Sequence, residues 1–195
     1  MKKKIVLIGA GGHAVSCIEA INSQKKFTIS QIVGTNKNLD ILKKYKILSE
    51  KEFLKKKIKK INILIAFGQL KSGIERKKKY DFYKNKKFKF PIIKSSSSYV
   101  SNEAKISEGT IIMHKCFVNA GSVIGENCII NTGVIIEHNC TIGDNVHIAP
   151  GAIILGGCNI GENSFIGAGA VIKQNSNIKK NFILPAQKYY KWKKF

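Results

Sequence analysis

The chain has 195 residues, 44% of them hydrophobic, and carries a formal charge of +22 at pH 7. That length allows one large or two small domains, and no apolar run in it approaches a membrane span. Met1-Lys2-Lys3-Lys4 leads straight into a strand-like stretch without a secretory apolar region or cleavage site, so the expected compartment is the cytoplasm.

The charge is uneven. Residues 1–94 carry 25 Lys and Arg against 6 Asp and Glu, and residues 95–195 carry 9 against 6. Runs such as Lys55-Lys56-Lys57 and Lys77-Lys78-Lys79 sit in no recognisable nucleic-acid module. Abundant Lys, Ile and Asn also fit an AT-biased composition. The expectation is a solvated basic face, with attraction of phosphate-bearing small molecules as the functional alternative. A nucleic-acid partner would instead require salt-sensitive retention of DNA or RNA, and none is expected.

In chain order, Ile5-Val6-Leu7-Ile8 predicts a short buried strand. Gly9-Ala10-Gly11-Gly12-His13-Ala14 follows as a glycine turn, and Val15 to Asn22 as a helix. The glycines permit close backbone approach, and the helix N-terminus offers N–H groups to an anion. The turn satisfies the dinucleotide fingerprint formally, but the second strand, Ile29 to Val33, ends in Gly34-Thr35-Asn36 with no carboxylate. A dinucleotide site wants an acid there. A third strand spans Ile61 to Ala66 and ends in Phe67-Gly68-Gln69. A basic helix from Ser72 to Asn85 and a last strand near Phe88 to Ile93 complete the unit. Three or four parallel strands predict a Rossmann-like half domain over residues 1–94, suited to a mononucleotide more than to NAD. A glycine turn that merely packs a helix is the bland alternative.

Ser95-Ser96-Ser97-Ser98 reads as a linker, and beyond it the period changes. Every sixth residue from Val100 to Leu184 is an aliphatic, including Ile112, Val118, Ile124, Ile130, Ile136, Ile142, Ile148 and Ile154. Two residues before them stand small or slim side chains such as Thr110, Cys116, Ser122, Cys128 and Cys140. Hexapeptide periods belong to β-helices, and side chains two apart in a strand share a face, so both positions point inward. Gly125, Gly143, Gly161 and Gly167, each after an aliphatic, are expected to relieve the backbone at the bends. Three hexads make one triangular coil, so residues eighteen apart stack. Residues 95–195 therefore form an all-β solenoid. Four of the five cysteines fill its small inward position, with no Cys-x-x-Cys pair, and read as core fillers in a reducing compartment.

Core positions cannot react without disturbing the stack, which leaves corners and outward faces. Glu137-His138-Asn139 and His147 form the polar cluster there. His138 occupies a corner, with Ala120 one coil above and Gly156 one coil below, so its ring has space. Acyl transfer from a thioester needs a base near neutral pH, which suits His. It also needs a group to orient that base and an N–H donor for the oxyanion. His138, Glu137 or Asn139, and the Gly156 backbone can fill these roles; solvated corner histidines are the alternative. A zinc site from His114, His138 and His147 would follow the γ-class carbonic anhydrases, but their His pair stands closer than these nine residues, and no metal is expected.

The two halves together resemble the bacterial sugar acyltransferases of the hexapeptide-repeat type, which include UDP-4-amino-sugar N-acetyltransferases and sialic-acid O-acetyltransferases. Gly9-Ala10-Gly11-Gly12-His13 is similar to the family's opening turn, and Ile65-Ala66-Phe67-Gly68 to its third-strand segment. Ile130 to Asp144 is similar to its active-site motif, Val146 to Ala152 to that motif's continuation, and Pro185-Ala186 to its terminal turn. The resemblance implies a left-handed parallel β-helix. It implies His138 as general base, with Glu137 beside it and Asn131 nearby. It implies His147, Gly156 and Ala168 along an acetyl-CoA groove, and Gly11, Gly12, His13 and Gly68 around a nucleotide-sugar. It further implies a homotrimer with each groove between neighbouring solenoids. The expected activity is acetyl-CoA-dependent N-acetylation of a nucleotide-linked amino sugar. O-acetylation of a sialic-acid-like or other sugar hydroxyl is the enzymatic alternative, and a nucleotide-binding scaffold the non-enzymatic one. The sequence departs from the family at Asn139, often acidic there, at Thr35-Asn36, and at Lys94-Ser95.

Overall fold

The computed structural model describes residues 2–35, 39–56, 61–69 and 73–190. The first unit comprises β1 (Lys3–Ile8), α1 (Gly12–Gln24), β2 (Phe27–Val33), β3 (Ile47–Leu48), α2 (Glu50–Lys55), β4 (Asn62–Ile65) and α3 (Ile74–Asn85). Its strands run parallel in the order β3-β2-β1-β4. β1 is central, and Ile5 to Ile8 are buried on both faces, which is why that segment reads as an unbroken apolar run. α1 covers one side through Ala14, Cys17, Ile18 and Ile21. α2 and α3 cover the other, with Phe53, Tyr80, Tyr83 and Phe90 in the core.

Three elements went unread in the sequence, one of them a 3₁₀ helix at Asp40–Lys44. β3 has only two residues, and α2 is announced by a capping box. Ser49 Oγ accepts from the Glu52 N–H while the Glu52 carboxylate accepts from the Ser49 N–H. The strand expected near Phe88 to Ile93 is divided instead. Lys89 makes a lone bridge to Asn62, and β5 (Ile93–Lys94) pairs with Ile111–Ile112 as the first rung of the second unit. Ser95 is accordingly buried, its hydroxyl 2.7 Å from His114 Nδ1, so the serine run is part of the first coil. Ser72, expected to open α3, and Asn36, at the end of the second strand, lie outside the described residues.

From β5 to β21 (Tyr189–Tyr190) every strand has two residues and begins six after the last. Each as far as Val171–Ile172 pairs in parallel with the strand eighteen residues on, as Ile129–Ile130 with His147–Ile148. Three sheets wall a triangular prism, a left-handed parallel β-helix. The first face runs from Ile93–Lys94 to Ile183–Leu184, the second from Tyr99–Val100 to Tyr189–Tyr190, and the third from Lys105–Ile106 to Asn177–Ile178. Ile112, Ile130, Ile148 and Ile166 stack fully buried inside, each worth about 1.5–3 kcal/mol of apolar burial.

The bends work differently from expectation. Gly125, Gly143, Gly161 and Gly167 do not carry the left-handed backbone. That conformation falls two residues later, on Asn127, Asn145 and Asn163 with φ of 53 to 59° and on Gly169 with φ of 63°, a region Asn and Gly tolerate better than other residues. The glycines are needed for a different reason. A Cβ on Gly143 would stand 2.7 Å from the Glu162 backbone nitrogen in the next coil, so successive coils touch main chain to main chain.

The first unit is seated on the first face and on the edge shared by the third and first faces. One apolar cluster runs from β1, β2 and α1 into the coil interior. His147, on the first face, meets Gln69. Arg76 and Tyr80 of α3 reach Asn127 and Glu126 at the edge. The edge between the second and third faces lies across the prism from this seat.

Gly143→Ala is expected to lower unfolding free energy by about 1–3 kcal/mol, the range for forcing extra volume into a packed interior. Urea melts would show it, and an unchanged midpoint would mean the coils do not need that close approach.

Candidate active site

The glycine turn joins β1 to α1 on the side that meets the prism. Gly11 is the N-cap of α1, which has no side-chain cap and no acidic residue in its first turn, leaving its N-terminal dipole uncompensated. A Cβ on Gly11 or Gly12 would meet nothing within 4 Å. The space above the turn is therefore open, and the missing side chains leave main chain exposed to whatever occupies it.

That space belongs to a cavity of about 450 Å³ lined by Gly11, Gly12, His13, Ser16, Phe67, Gly68, Asn131 and His147. The first six come from the first unit and the last two from the solenoid. All four first-unit residues expected around a nucleotide-sugar, Gly11, Gly12, His13 and Gly68, thus line one cavity. Asn131 and His147 join them, although one was expected beside the catalytic base and the other along the acyl-donor groove.

His147 is fixed on both ring nitrogens. Its Nδ1 lies 2.7 Å from the Gln69 carbonyl oxygen, which can only accept, so Nδ1 carries the proton. Nε2 then accepts from the Asn131 amide at 3.2 Å, and Phe165 packs edge-on at 5.2 Å between centroids. Burial pushes this imidazole down to about 4; the bond to Gln69 opposes the shift and the Arg76 charge adds to it. His13, in the first turn of α1, is driven down to about 3 by burial, then by Arg76 and His147. Its Nε2 is buried without a hydrogen-bond partner. Both rings are neutral at physiological pH.

Arg76 supplies that field and was not picked out from the sequence. It is 1% exposed. Its Nη1 donates to the carbonyls of Ile65 (2.7 Å) and Phe67 (2.9 Å), and its Nε to that of Asn127 (3.3 Å). Burial lowers its pKa to about 10, with Cys17 and Cys128 opposing, and it stays charged. The signal was available: Arg76 is the single arginine among 34 basic residues. Lys, with a single nitrogen, cannot hold the strand-end carbonyls from one atom and the coil carbonyl from another.

His138 stands apart. It is exposed at the edge between the second and third faces, across the prism from the seat of the first unit, and it does not line the cavity. Its Nδ1 lies 3.2 Å from the Asn139 amide. A Cβ on Gly156 would come within 2.6 Å of its Nε2, so the ring lies over bare main chain. The Glu137 carboxylate accepts from Asn119 at 2.8 Å; within the chain, Asn139 is the residue that touches the ring. Ala168 lies half-buried at the edge between the first and second faces, its carbonyl bonded to Gln187. The residues expected to serve one reaction thus occupy different edges of the prism.

Among the described residues no cluster of three His, Cys, Asp or Glu could hold a metal ion, and no helix is long and apolar enough to cross a membrane. His114, the third member of the zinc alternative, is bonded to Ser95 and Ser97.

Residues 4–81 match the PglD N-terminal domain and residues 139–174 the bacterial transferase hexapeptide family of six repeats. No curated protein matches the chain by sequence. Among solved structures, the acetyltransferase domain of PglB from Neisseria gonorrhoeae is 26% identical with a TM-score of 0.86, covering 97% of this chain and 91% of that one. Its complex with acetyl coenzyme A gives 27% and 0.84, over 95% and 89%. A histidine variant of perosamine N-acetyltransferase from Caulobacter crescentus, in complex with CoA and GDP-perosamine, gives 25% and 0.85, over 96% and 88%.

The buried histidines make stability acid-sensitive. The folded values of about 4 and 3 lie below the ordinary 6.5, so the unfolded chain takes up protons first as pH falls. The contribution is complete above about pH 6.5 and is lost on acidification towards 4 and below, by up to about 3 kcal/mol for His147. Urea melts at pH 7 and pH 5 should show the loss, and His147→Gln should flatten it. A slope unchanged by that substitution would contradict the assignment.

Proposed function

The chain is an acyltransferase of the bacterial hexapeptide-repeat sugar acyltransferases, and from that premise we propose that it moves the acetyl group of acetyl-CoA onto the amine of a nucleotide-linked amino sugar. The observation that carries this reading is the pairing of an open glycine-turn cavity with a separate exposed imidazole lying over a glycine. The solved relatives support it: one binds acetyl coenzyme A, the other CoA together with GDP-perosamine.

In this reading the first unit holds the nucleotide-sugar and the solenoid carries out the transfer. The sugar nucleotide lies over Gly11, Gly12 and Gly68, with its diphosphate towards the N-terminus of α1 and its sugar towards His13, Asn131 and His147. The neutral amine attacks the thioester carbonyl and forms the C–N bond. His138 takes the amine proton, the oxyanion leans on the Gly156 backbone N–H, and as the carbonyl re-forms the C–S bond breaks, the leaving sulfur taking the proton from the imidazolium to give CoA thiol. The amide nitrogen of Asn139 faces Nδ1 in the free chain; for Nε2 to act as the base, Nδ1 must hold the ring proton, so the amide turns over to present its oxygen. An amide orients the ring without the charge of a carboxylate. That favours an amine over a sugar hydroxyl, whose proton is harder to remove.

One chain cannot perform this reaction, because His138 and the cavity lie on opposite sides of the prism. We propose a C3 homotrimer in which the His138 edge of each copy faces the cavity of its neighbour. Closed heterologous rings join different patches of identical chains in this way. Acetyl-CoA would lie in the same cleft, against Gly156 of one copy and Ala168 of the next. His147, fixed at the cavity's solenoid side, would stand where sugar and thioester meet. Five buried, unpaired cysteines fit work in the reducing cytoplasm.

His138→Ala should cut turnover by about 10²–10⁴, the usual worth of a positioned acid–base group, and leave the thermal midpoint unchanged because the ring is exposed. Thiol release from acetyl-CoA, assayed with UDP-, GDP- and dTDP-linked amino sugars, measures it. Near-normal turnover in the variant would end the base assignment. No thiol release with any such sugar in the unaltered protein would favour the scaffold.

A further inference from the structure

A second cavity, of about 250 Å³, opens at the carboxyl ends of β1 and β2. Ile8, Val33 and Phe67 give it apolar walls; Thr35, Glu50 and Lys79 give it polar ones. Phe67 also lines the larger cavity, and the glycine turn passes from one to the other, with Gly9 at the smaller and Gly11 and Gly12 at the larger. A ligand laid along the turn would put one end in each.

Crevices outside the carboxyl ends of parallel strands hold nucleotides, and an acid at the end of the second strand commonly takes the ribose hydroxyls. Here that strand ends in Gly34-Thr35. The carboxylate at the crevice comes from a different element, Glu50 in the first turn of α2. It is tied down from α3. Lys79 Nζ lies 2.6 and 2.8 Å from its two oxygens, and the Tyr83 hydroxyl donates to it at 2.8 Å. Burial alone would raise its pKa, but the hydrogen bonds from Lys79 and Tyr83, with the Lys79 charge, outweigh burial and hold it below the usual range. An ionised carboxylate only accepts hydrogen bonds. It therefore suits a diol and offers nothing to a deoxygenated carbon. A simple tie between α2 and α3 would account for the ion pair, but not for its facing an apolar crevice that shares a wall with the sugar-end cavity.

Building on the nucleotide-sugar reading above, we infer that the smaller cavity takes the nucleoside and that Glu50 accepts from the ribose hydroxyls, so that the chain selects ribonucleotide over 2′-deoxyribonucleotide substrates. Glu50 is then the specificity-determining acid that β2 lacks, supplied from the next helix.

Calorimetric titration of the full chain with UDP against dUDP, and GDP against dGDP, tests this with the base held constant. The ribonucleotide of each pair is expected to bind about 10- to 100-fold more tightly, the usual worth of a hydrogen bond to a charged group. Glu50→Ala should abolish the preference, weakening the ribonucleotide more than the deoxynucleotide, which has only its 3′-hydroxyl to lose a partner. Glu50→Gln, which keeps an accepting oxygen and fills the same volume, should retain part of the preference. Equal affinities within each pair, or a preference that survives Glu50→Ala, would overturn the inference while leaving the nucleotide-sugar reading in place. Failure of every diphosphate to bind the unaltered chain would overturn both.

Discussion

The eighteen-residue coil is the constraint on which everything else rests. Because residues eighteen apart stack, each side chain's place is set by its position within the coil: which face or edge it occupies, and whether it points in or out. The first face and one adjoining edge are occupied by the first unit, leaving the opposite edge exposed. His138 falls on that opposite edge, and no rotamer carries it around the prism. The separation of the base from the cavity is thus a property of the repeat, and the proposed reaction inherits from it the need for a second copy.

How the first unit is held matters as much as where. Arg76 binds the carbonyls of Ile65 and Phe67 at the end of β4 and that of Asn127 in the coil, with no carboxylate partner among these contacts. A buried guanidinium is costly to desolvate, and here the return is geometric. The strand end forming the Phe67-Gly68 wall is tied directly to the solenoid that supplies Asn131 and His147. Burial keeps His13 and His147 neutral, and the same charge adds to it. Around it, Tyr80 and Lys84 bond to Glu126, which fixes α3 to the edge.

The period of six, the inward aliphatics and the small cysteines were all legible in the sequence, because each repeat states the same local rule. So was the strand, glycine turn and helix that opens the chain. The reason for the glycines that follow the aliphatics was misread: spacing cannot tell a strained φ from a close approach, and the left-handed positions fall two residues later, on asparagines and on other glycines. β3 and α2 were missed because they are short, although the Ser49–Glu52 box marked the helix. The site was legible only in part. The motif around His138 and the glycine turn could be named, but which residues share a cavity depends on which face receives the first unit. Asn131 and His147 therefore fell beside the glycine turn, in one cavity with Gly11, Gly12, His13 and Gly68, and Arg76 went unnoticed among lysines despite being the single arginine.

The central claim is that each reaction centre draws its base from one copy and its cavity from another. Co-expression of a His138→Ala chain with a His13→Ala, Asn131→Ala chain tests it most directly, since neither has a complete set alone. If centres form between copies, random mixed trimers should recover about a quarter of the unaltered activity, because one centre in four pairs an intact His138 with an intact neighbouring cavity. Activity no higher than that of the two inactive parents would contradict the account.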